Sequence, residues 1–221
     1  MTLEQKAAHL EDPGAKLIDT LTSYWNRFGR AALIALGVVV VVAVAAFLVQ
    51  RSRAADERQA AGKLAEANLL FWQGAYDRSL QGARQVSEQW PGTPSGADAL
   101  RLAGDSHFWM GNYKDAAAQY QGYLAKRKSG VLADAVRRSL AYTLESNQQP
   151  KEAAAAYEAL VGKFDRESSA EFLYAAARCH LALGQRKEAD ARLQRLVDEF
   201  GETSYATRAR IQRAELAAAP N

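Results

Sequence analysis

Residues 31–50, AALIALGVVVVVAVAAFLVQ, form an unbroken apolar run closed by Arg30 on one side and Arg51 on the other. The run holds no charge and no proline, and a single glycine. As a helix rising about 1.5 Å per residue it would be roughly 30 Å long, the hydrocarbon thickness of a bilayer. Only Gln50, at its edge, carries a polar side chain. The run predicts a transmembrane helix. A core helix buried on every face is one competing reading, and the remaining chain would then have to surround it entirely. A cleaved leader is the other, since Ala43-Val44-Ala45 has the small-x-small pattern of a cleavage site. Against it, the 30 residues before the run carry as many acids as bases, whereas a leader starts short and basic.

The remainder is long enough, at about 170 residues, for one domain with a real core. It is rich in alanine and poor in proline, as a helical protein is. Net charge is +3 with both signs interspersed, and no basic stripe points to nucleic acid. The single cysteine, Cys179, cannot form an internal disulfide.

Residues 1–12 read as a frayed, possibly helical leader, followed by Asp12-Pro13-Gly14 as a helix start. From there Leu17, Ile18, Leu21, Tyr24, Trp25 and Phe28 share one helical face. Aromatic residues favour the headgroup region. Leu17, Leu21, Tyr24, Trp25 and Phe28 are therefore expected at the membrane interface, on a tail helix (residues 1–30) that turns into the spanning helix near Gly29. A partner-binding helix is the rival reading, and the two are compatible. Flanking charges, Lys16, Arg27 and Arg30 against Arg51, Arg53, Arg58 and Lys63, slightly favour a domain inside the cell.

Residues 51–73 contain no proline, so the apolar helix could run on into the first helix of the next domain. Beyond it the sequence repeats. Phe71-Trp72 precedes Gly74 and Tyr76; 37 residues later Phe108-Trp109 precedes Gly111 and Tyr113. Ala116 and Tyr120 return as Ala153 and Tyr157, and then as Ala189 and Leu193 after Gly184. Each repeat ends on an aromatic, a short turn and a Ser or Thr able to cap the next helix, as in Trp90–Ser95, Phe164–Ser169 and Phe200–Tyr205. The pattern predicts four helix pairs near 52–90, 97–127, 131–164 and 169–200, closed by a helix near 203–218. That last helix would carry Tyr205, Ile211 and Leu216 on its inner side. The expected fold is all-α, one transmembrane helix and then a repeat solenoid over residues 51–221.

The small residues of each first helix (Gly104, with Ala67, Ala141 and Ala177), the turn glycine, the tyrosine after it and the Ala…Tyr pair of the second helix resemble the tetratricopeptide repeat. Unit three departs, with Asn147-Gln148-Gln149-Pro150 in place of the turn glycine. The whole layout, a short tail, one membrane helix near residue 40 and then the repeats, resembles the YfgM family of bacterial inner-membrane proteins. That resemblance implies a repeat domain facing the periplasm and an association with the protein-export translocon and periplasmic chaperones. The repeat ends also resemble those of the periplasmic YbgF and BamD proteins, which act in envelope maintenance.

No P-loop, GxSxG, HExxH or CxxC occurs, so neither enzymatic activity nor a metal or other cofactor is expected. His107 and His180 fall at one repeat position, where packing is the expected role. Cys179 stands beside His180 with no further ligand nearby in sequence. What an array of this type does have is a face lined by the first helix of each unit. The resemblance places Asn68, Phe71 and Trp72 there, with Arg101, Asp105, Phe108 and Trp109 from unit two. Arg138, Tyr142 and Glu145 follow from unit three, and Tyr174 and Arg178 from unit four. Aromatics beside arginines dominate binding hot spots, which suggests a groove for an extended peptide or a partner's helix. The alternative is that the Phe-Trp pairs pack the helices, with one member of each facing in and the other out. The expected partners are proteins of a membrane complex, and the lipid bilayer itself. A structural subunit held in such a complex through its membrane helix and tail is the second functional reading.

Overall fold

The computed structural model describes residues 13–218. The leader expected over residues 1–12 and the Asp12 cap lie outside them. Every regular element among the described residues is an α-helix. The chain divides into two units at Ala55/Asp56.

Helix α1 is continuous over Pro13–Trp72. The turn expected near Gly29 is absent, because a lone helical glycine costs only about 1 kcal/mol and Trp25 folds its indole over the Gly29 Cα, burying it. Leu17, Leu21, Tyr24, Trp25 and Phe28 are all exposed, as are the large apolar side chains from Leu33 to Val49 on every face of the helix. By length and composition this helix is apolar enough to cross a membrane.

In the second unit, the end of α1 begins a series of antiparallel pairs. After α1 come α2 (Tyr76–Gln89), α3 (Pro94–Trp109), α4 (Tyr113–Lys126) and α5 (Val131–Ser146). They are followed by α6 (Pro150–Glu158), α7 (Arg166–Ala182), α8 (Arg186–Glu199) and α9 (Ser204–Ala218). From α2 onward each helix packs on the next, and α3 also touches α5 and α7 touches α9. This nearest-neighbour packing is that of a solenoid. Its core is a series of shared layers. Leu64 and Ala67 of α1 meet Leu80, Val86 and Leu102. Tyr120 and Tyr123 meet Val136. Tyr157 and Leu160 meet Phe172 and Cys179, and Leu193 and Leu196 meet Ala206 and Ala209.

Helices α3 and α7 start three residues earlier than the sequence pattern suggests. Thr93 caps α3 by accepting from the Gly96 N–H at 2.9 Å, with Pro94 in the first turn. Asp165, not a serine, caps α7 by accepting from the Ser168 N–H at 2.7 Å. Helix α6 stops at Glu158, and the chain turns through Gly162 (φ +81°) to reach α7. In α9 the buried residues are Ala206 and Ala209, with Tyr205 and Leu216 partly covered, while Ile211 faces solvent. Five residues beyond Ala206 lie about 140° around a helix, which carries Ile211 off the packed side.

The four intra-pair turns share one geometry. Gly74, Gly111, Gln148 and Gly184 all have positive φ, of 77°, 79°, 58° and 71°. In each, the N–H of the next residue reaches back to a first-helix carbonyl, as from Ala75 to Leu70 and Gln149 to Leu144, both at 2.9 Å. Unit three thus makes the same turn without a glycine.

Candidate partner-binding face

Trp72 and Trp109 are the last residues of α1 and α3, and 81% and 62% of their surfaces are exposed. Their neighbours Phe71 and Phe108 are partly buried against the core layers. One member of each Phe-Trp pair therefore packs and the other stands out. The rings connect. Trp72 meets Phe71 edge-on at 5.7 Å, and Phe71 meets Tyr76 at 5.3 Å. Tyr76 then stacks on Trp109 of the next unit, centroids 6.0 Å apart and planes 13° apart. Trp109 meets Phe108, and Phe108 meets Tyr113. Six aromatic rings thus run without interruption across units one and two. The row ends at unit three, where Glu145 and Ser146 take the Phe-Trp positions.

Beside the row, between α3 and α5, lies a cavity of about 150 Å³ lined by Asp105, Phe108, Trp109, Tyr120, Ser139 and Tyr142. Four of the expected groove residues, Asp105, Phe108, Trp109 and Tyr142, meet there. Tyr174 and Arg178 line a separate cavity of about 60 Å³ with Leu181, Leu193 and Gln212.

The polar groove residues are engaged within the protein. Asn68 Nδ2 donates to the Leu64 carbonyl at 2.9 Å. Arg101 Nη1 donates to Asp105 Oδ2 at 2.6 Å, and the Tyr120 hydroxyl donates to Asp105 Oδ1 at 2.8 Å. Burial raises the Asp105 carboxyl above its ordinary range and outweighs these two partners. Glu145 accepts from the Tyr157 hydroxyl at 2.8 Å and from Arg178 Nε and Nη2 at 2.6 and 2.8 Å. Burial pushes that carboxyl up, but Arg178 and Tyr157 prevail and hold it below the usual range. The Tyr142 hydroxyl donates to Glu171 at 2.9 Å. Burial first, then the carboxylate each one faces, raises the phenols of Tyr120, Tyr142 and Tyr157. Arg138 lies over the Phe164 ring at 5.2 Å, and Tyr174 tilts against Tyr205 at 5.8 Å. Three arginines expected to face a partner are thus each spent on a side chain of their own or an adjacent unit.

His107 is buried, with Nε2 3.2 Å from Arg84 Nη2. A guanidinium only donates, so Nε2 accepts and the imidazole proton sits on Nδ1, which has no partner. His180 faces Glu158 and Gln185. Cys179 is buried and burial pushes its thiol up to about 11. No group of three or more metal-ligating side chains occurs among the described residues.

Tyr76, Tyr113, Tyr120 and Ser139 belong to this face and were not among the residues read from the sequence as its lining. The row was detectable as a twice-repeated Phe-Trp-x-Gly-x-Tyr string at 71–76 and 108–113. Tyr120 was not, because it reaches the cavity from a second helix, α4.

A tetratricopeptide-repeat family profile matches residues 171–203. No curated protein is significantly similar to the chain. Among solved structures, a tetratricopeptide repeat protein from Parabacteroides merdae has a TM-score of 0.61 at 12% identity, over 72% of this chain and 60% of that one. A protein of nearly identical TPR-like repeats from Podosopora anserina has a TM-score of 0.56 at 19% identity, over 73% and 91%. BtubC from P. vanneervenii has a TM-score of 0.53 at 14% identity, over 73% and 66%. With the paired helices and their common turns, these likenesses show a tetratricopeptide-like helical-repeat fold.

Proposed function

We propose that this protein is a non-enzymatic, membrane-anchored interaction module that holds a partner on the face built by α1, α3 and α5. Repeats of this type form protein-interaction modules. The observation that carries the reading is the exposure of Trp72 and Trp109 at the two ends of a continuous Trp-Phe-Tyr-Trp stretch. Exposed tryptophans, one of which (Trp109) lines a cavity, are a residue type and setting of binding hot spots. The partner-contacting residues are Phe71, Trp72, Asp105, Phe108, Trp109 and Tyr142, joined by Tyr76. Asn68, Arg101, Arg138, Glu145, Tyr174 and Arg178 shape the face through the internal bonds described above.

Residues 31–50 serve as the anchor, with Leu17, Leu21, Tyr24, Trp25 and Phe28 at the lipid interface. The resemblance in layout to YfgM-type proteins supports a single-pass bacterial inner-membrane protein. It also supports a periplasmic repeat domain acting as an accessory at a complex such as the export translocon or envelope assembly machinery.

A photo-crosslinker placed at Gln73 in the full chain in cells tests the reading. Discrete crosslinked species that vanish in the Trp72→Ala/Trp109→Ala background support it. Crosslinks only from a probe at Val40, unaffected by that double substitution, overturn it in favour of a structural subunit held through its membrane helix. Protease accessibility in spheroplasts against inverted vesicles tests the orientation.

A further inference from the structure

We infer that the turn between α4 and α5 is a second membrane contact, which seats Lys126, Arg127, Lys128 and Val131 on a bilayer surface carrying anionic lipid. The inference rests on the anchor reading above, since it needs residues 31–50 in the bilayer.

This turn differs from its counterparts in charge. Lys126, Arg127 and Lys128 follow one another and are exposed. The turns at 90–93 and 200–203 hold no Lys or Arg, and that at 159–165 holds only Lys163. Lys126 Nζ donates to a neutral acceptor, the Pro91 carbonyl, at 2.9 Å, so its charge is not cancelled. The acid in the first turn of α5, Asp134, is met by Arg137 Nη1 at 2.7 Å. Asp98 of α3 faces Arg127 and offsets part of that one charge. The turn itself is left net positive.

It also carries exposed apolar surface. Val131 is 87% exposed, more than any other large apolar side chain among the described residues, and Leu132 beside it is exposed as well. Cations next to bare aliphatic groups match the lipid headgroup region, where phosphates meet the cations and the acyl boundary accepts the apolar groups. A soluble polyanion would use the cations and leave Val131 and Leu132 in water.

Connectivity supplies the third observation. Glu57 lies seven residues past Gln50, the end of the apolar run. That is about 10 Å along a helix and no more than about 25 Å in any chain conformation. Glu57 is bonded to Ser95 at the start of α3, and Lys126 to Pro91 in the turn just before it. This short tether keeps the basic turn within reach of the bilayer surface. Trp72 and Trp109 close the opposite ends of α1 and α3, so lipid at the turn leaves the aromatic row free for a partner.

The test is a fluorophore on Ser129→Cys in the full chain, reconstituted in vesicles whose lipids carry a nitroxide quencher on the headgroup. Labelling is selective because Ser129 is exposed and Cys179, the one native cysteine, is buried. The expected result is strong quenching in mixed phosphatidylglycerol–phosphatidylcholine vesicles and little in phosphatidylcholine alone. Quenching should be relieved at about 1 M salt, where screening acts within about 3 Å. Each Lys or Arg at such a surface strengthens attachment about fivefold, so Arg127→Gln/Lys128→Gln should lower the ratio of docked to undocked molecules by more than about tenfold. Both side chains are exposed, and the urea midpoint should not move. A label on Gln73→Cys, just past the far end of α1, should stay unquenched. Equal quenching in neutral and anionic vesicles, or quenching unchanged by the double substitution, overturns the inference. No quenching at Ser129 in a chain that resists carbonate extraction rejects it and leaves the anchor reading standing. A chain released by carbonate rejects both.

Discussion

Glu57 of α1 accepts two hydrogen bonds from Ser95 at the start of α3, from its backbone N–H at 3.1 Å and its hydroxyl at 2.7 Å. The carboxylate of one repeat thus caps the first helix of the next, supplying an acceptor where the helix leaves its N–H groups orphaned. Glu167 does the same for Ser204 of α9, again through backbone and hydroxyl. The same position holds Pro94 and Val131 in units two and three, so the device serves the two ends of the array. Glu57→Ala should lower domain stability by about 1–2 kcal/mol, read as a shift in the urea midpoint with unchanged slope.

Gly104 admits no side chain. A Cβ there would lie 2.6 Å from Tyr120 Cε1, and Tyr120 is fixed by its bond to Asp105. Gly104→Ala should cost about 1–3 kcal/mol by overpacking, checked by chemical denaturation. The Tyr120→Leu background should recover part of the loss by removing the ring.

Gln148 holds a left-handed conformation that its three counterparts assign to glycine. Gln148→Gly should stabilise the domain by a few tenths to about 1 kcal/mol, the left-handed penalty less the extra chain entropy. Gly111→Gln should destabilise it. Thermal melting of both variants would show the opposite signs.

His107 makes stability depend on pH. Burial lowers its pKa from 6.5, Arg84 beside Nε2 lowers it further, and Asp115 opposes them. Protonation would set a second donor against the guanidinium. The unfolded imidazole therefore binds a proton more readily than the folded one, and stability should fall as pH drops through about 6.5. The urea midpoint should be lower at about pH 5.5 than at pH 7.5. His107→Gln should flatten that difference. Glu145, held below its ordinary range, acts in a separate window, losing its contribution only under more acidic conditions.

If residues 31–50 span a bilayer, Val40→Arg places a charge at the middle of the run and should cost about 2.5–3.5 kcal/mol of insertion. The measurement is the fraction resisting carbonate extraction, which should drop sharply. Arg51→Ala, at the end of the run, should leave it unchanged.

The repeat was legible because its marks are few and chemically obligatory. Gly74, Gly111 and Gly184 occupy turns that need positive φ, and Ala67, Gly104, Ala141 and Ala177 are buried in the first helices. The repeat also placed the third turn at residues 147–150, but not its left-handed residue, Gln148, since glutamine carries no preference for the conformation it adopts. The starts of α3 and α7 slipped because the capping side chains are Thr93 and Asp165, upstream of the serines that also fit a cap. On the candidate face, the tetratricopeptide resemblance named Asp105, Phe108 and Trp109, and these three line one cavity. It could not show that Arg101, Arg138 and Arg178 turn toward Asp105, Phe164 and Glu145, because a long side chain's direction depends on neighbours in space. The stack of Tyr76 on Trp109 joins residues in successive units, and only the folded array brings them together.

Cys179 offers a built-in clock for the fourth unit. It is the chain's only cysteine, lies sealed in the layer shared by α5, α6 and α7, and has its thiolate suppressed. Alkylating reagents act on the thiolate, so modification must wait for α7 to lift away. The rate at which an unaltered molecule consumes such a reagent then reports how often that part of the solenoid opens, with no engineered label.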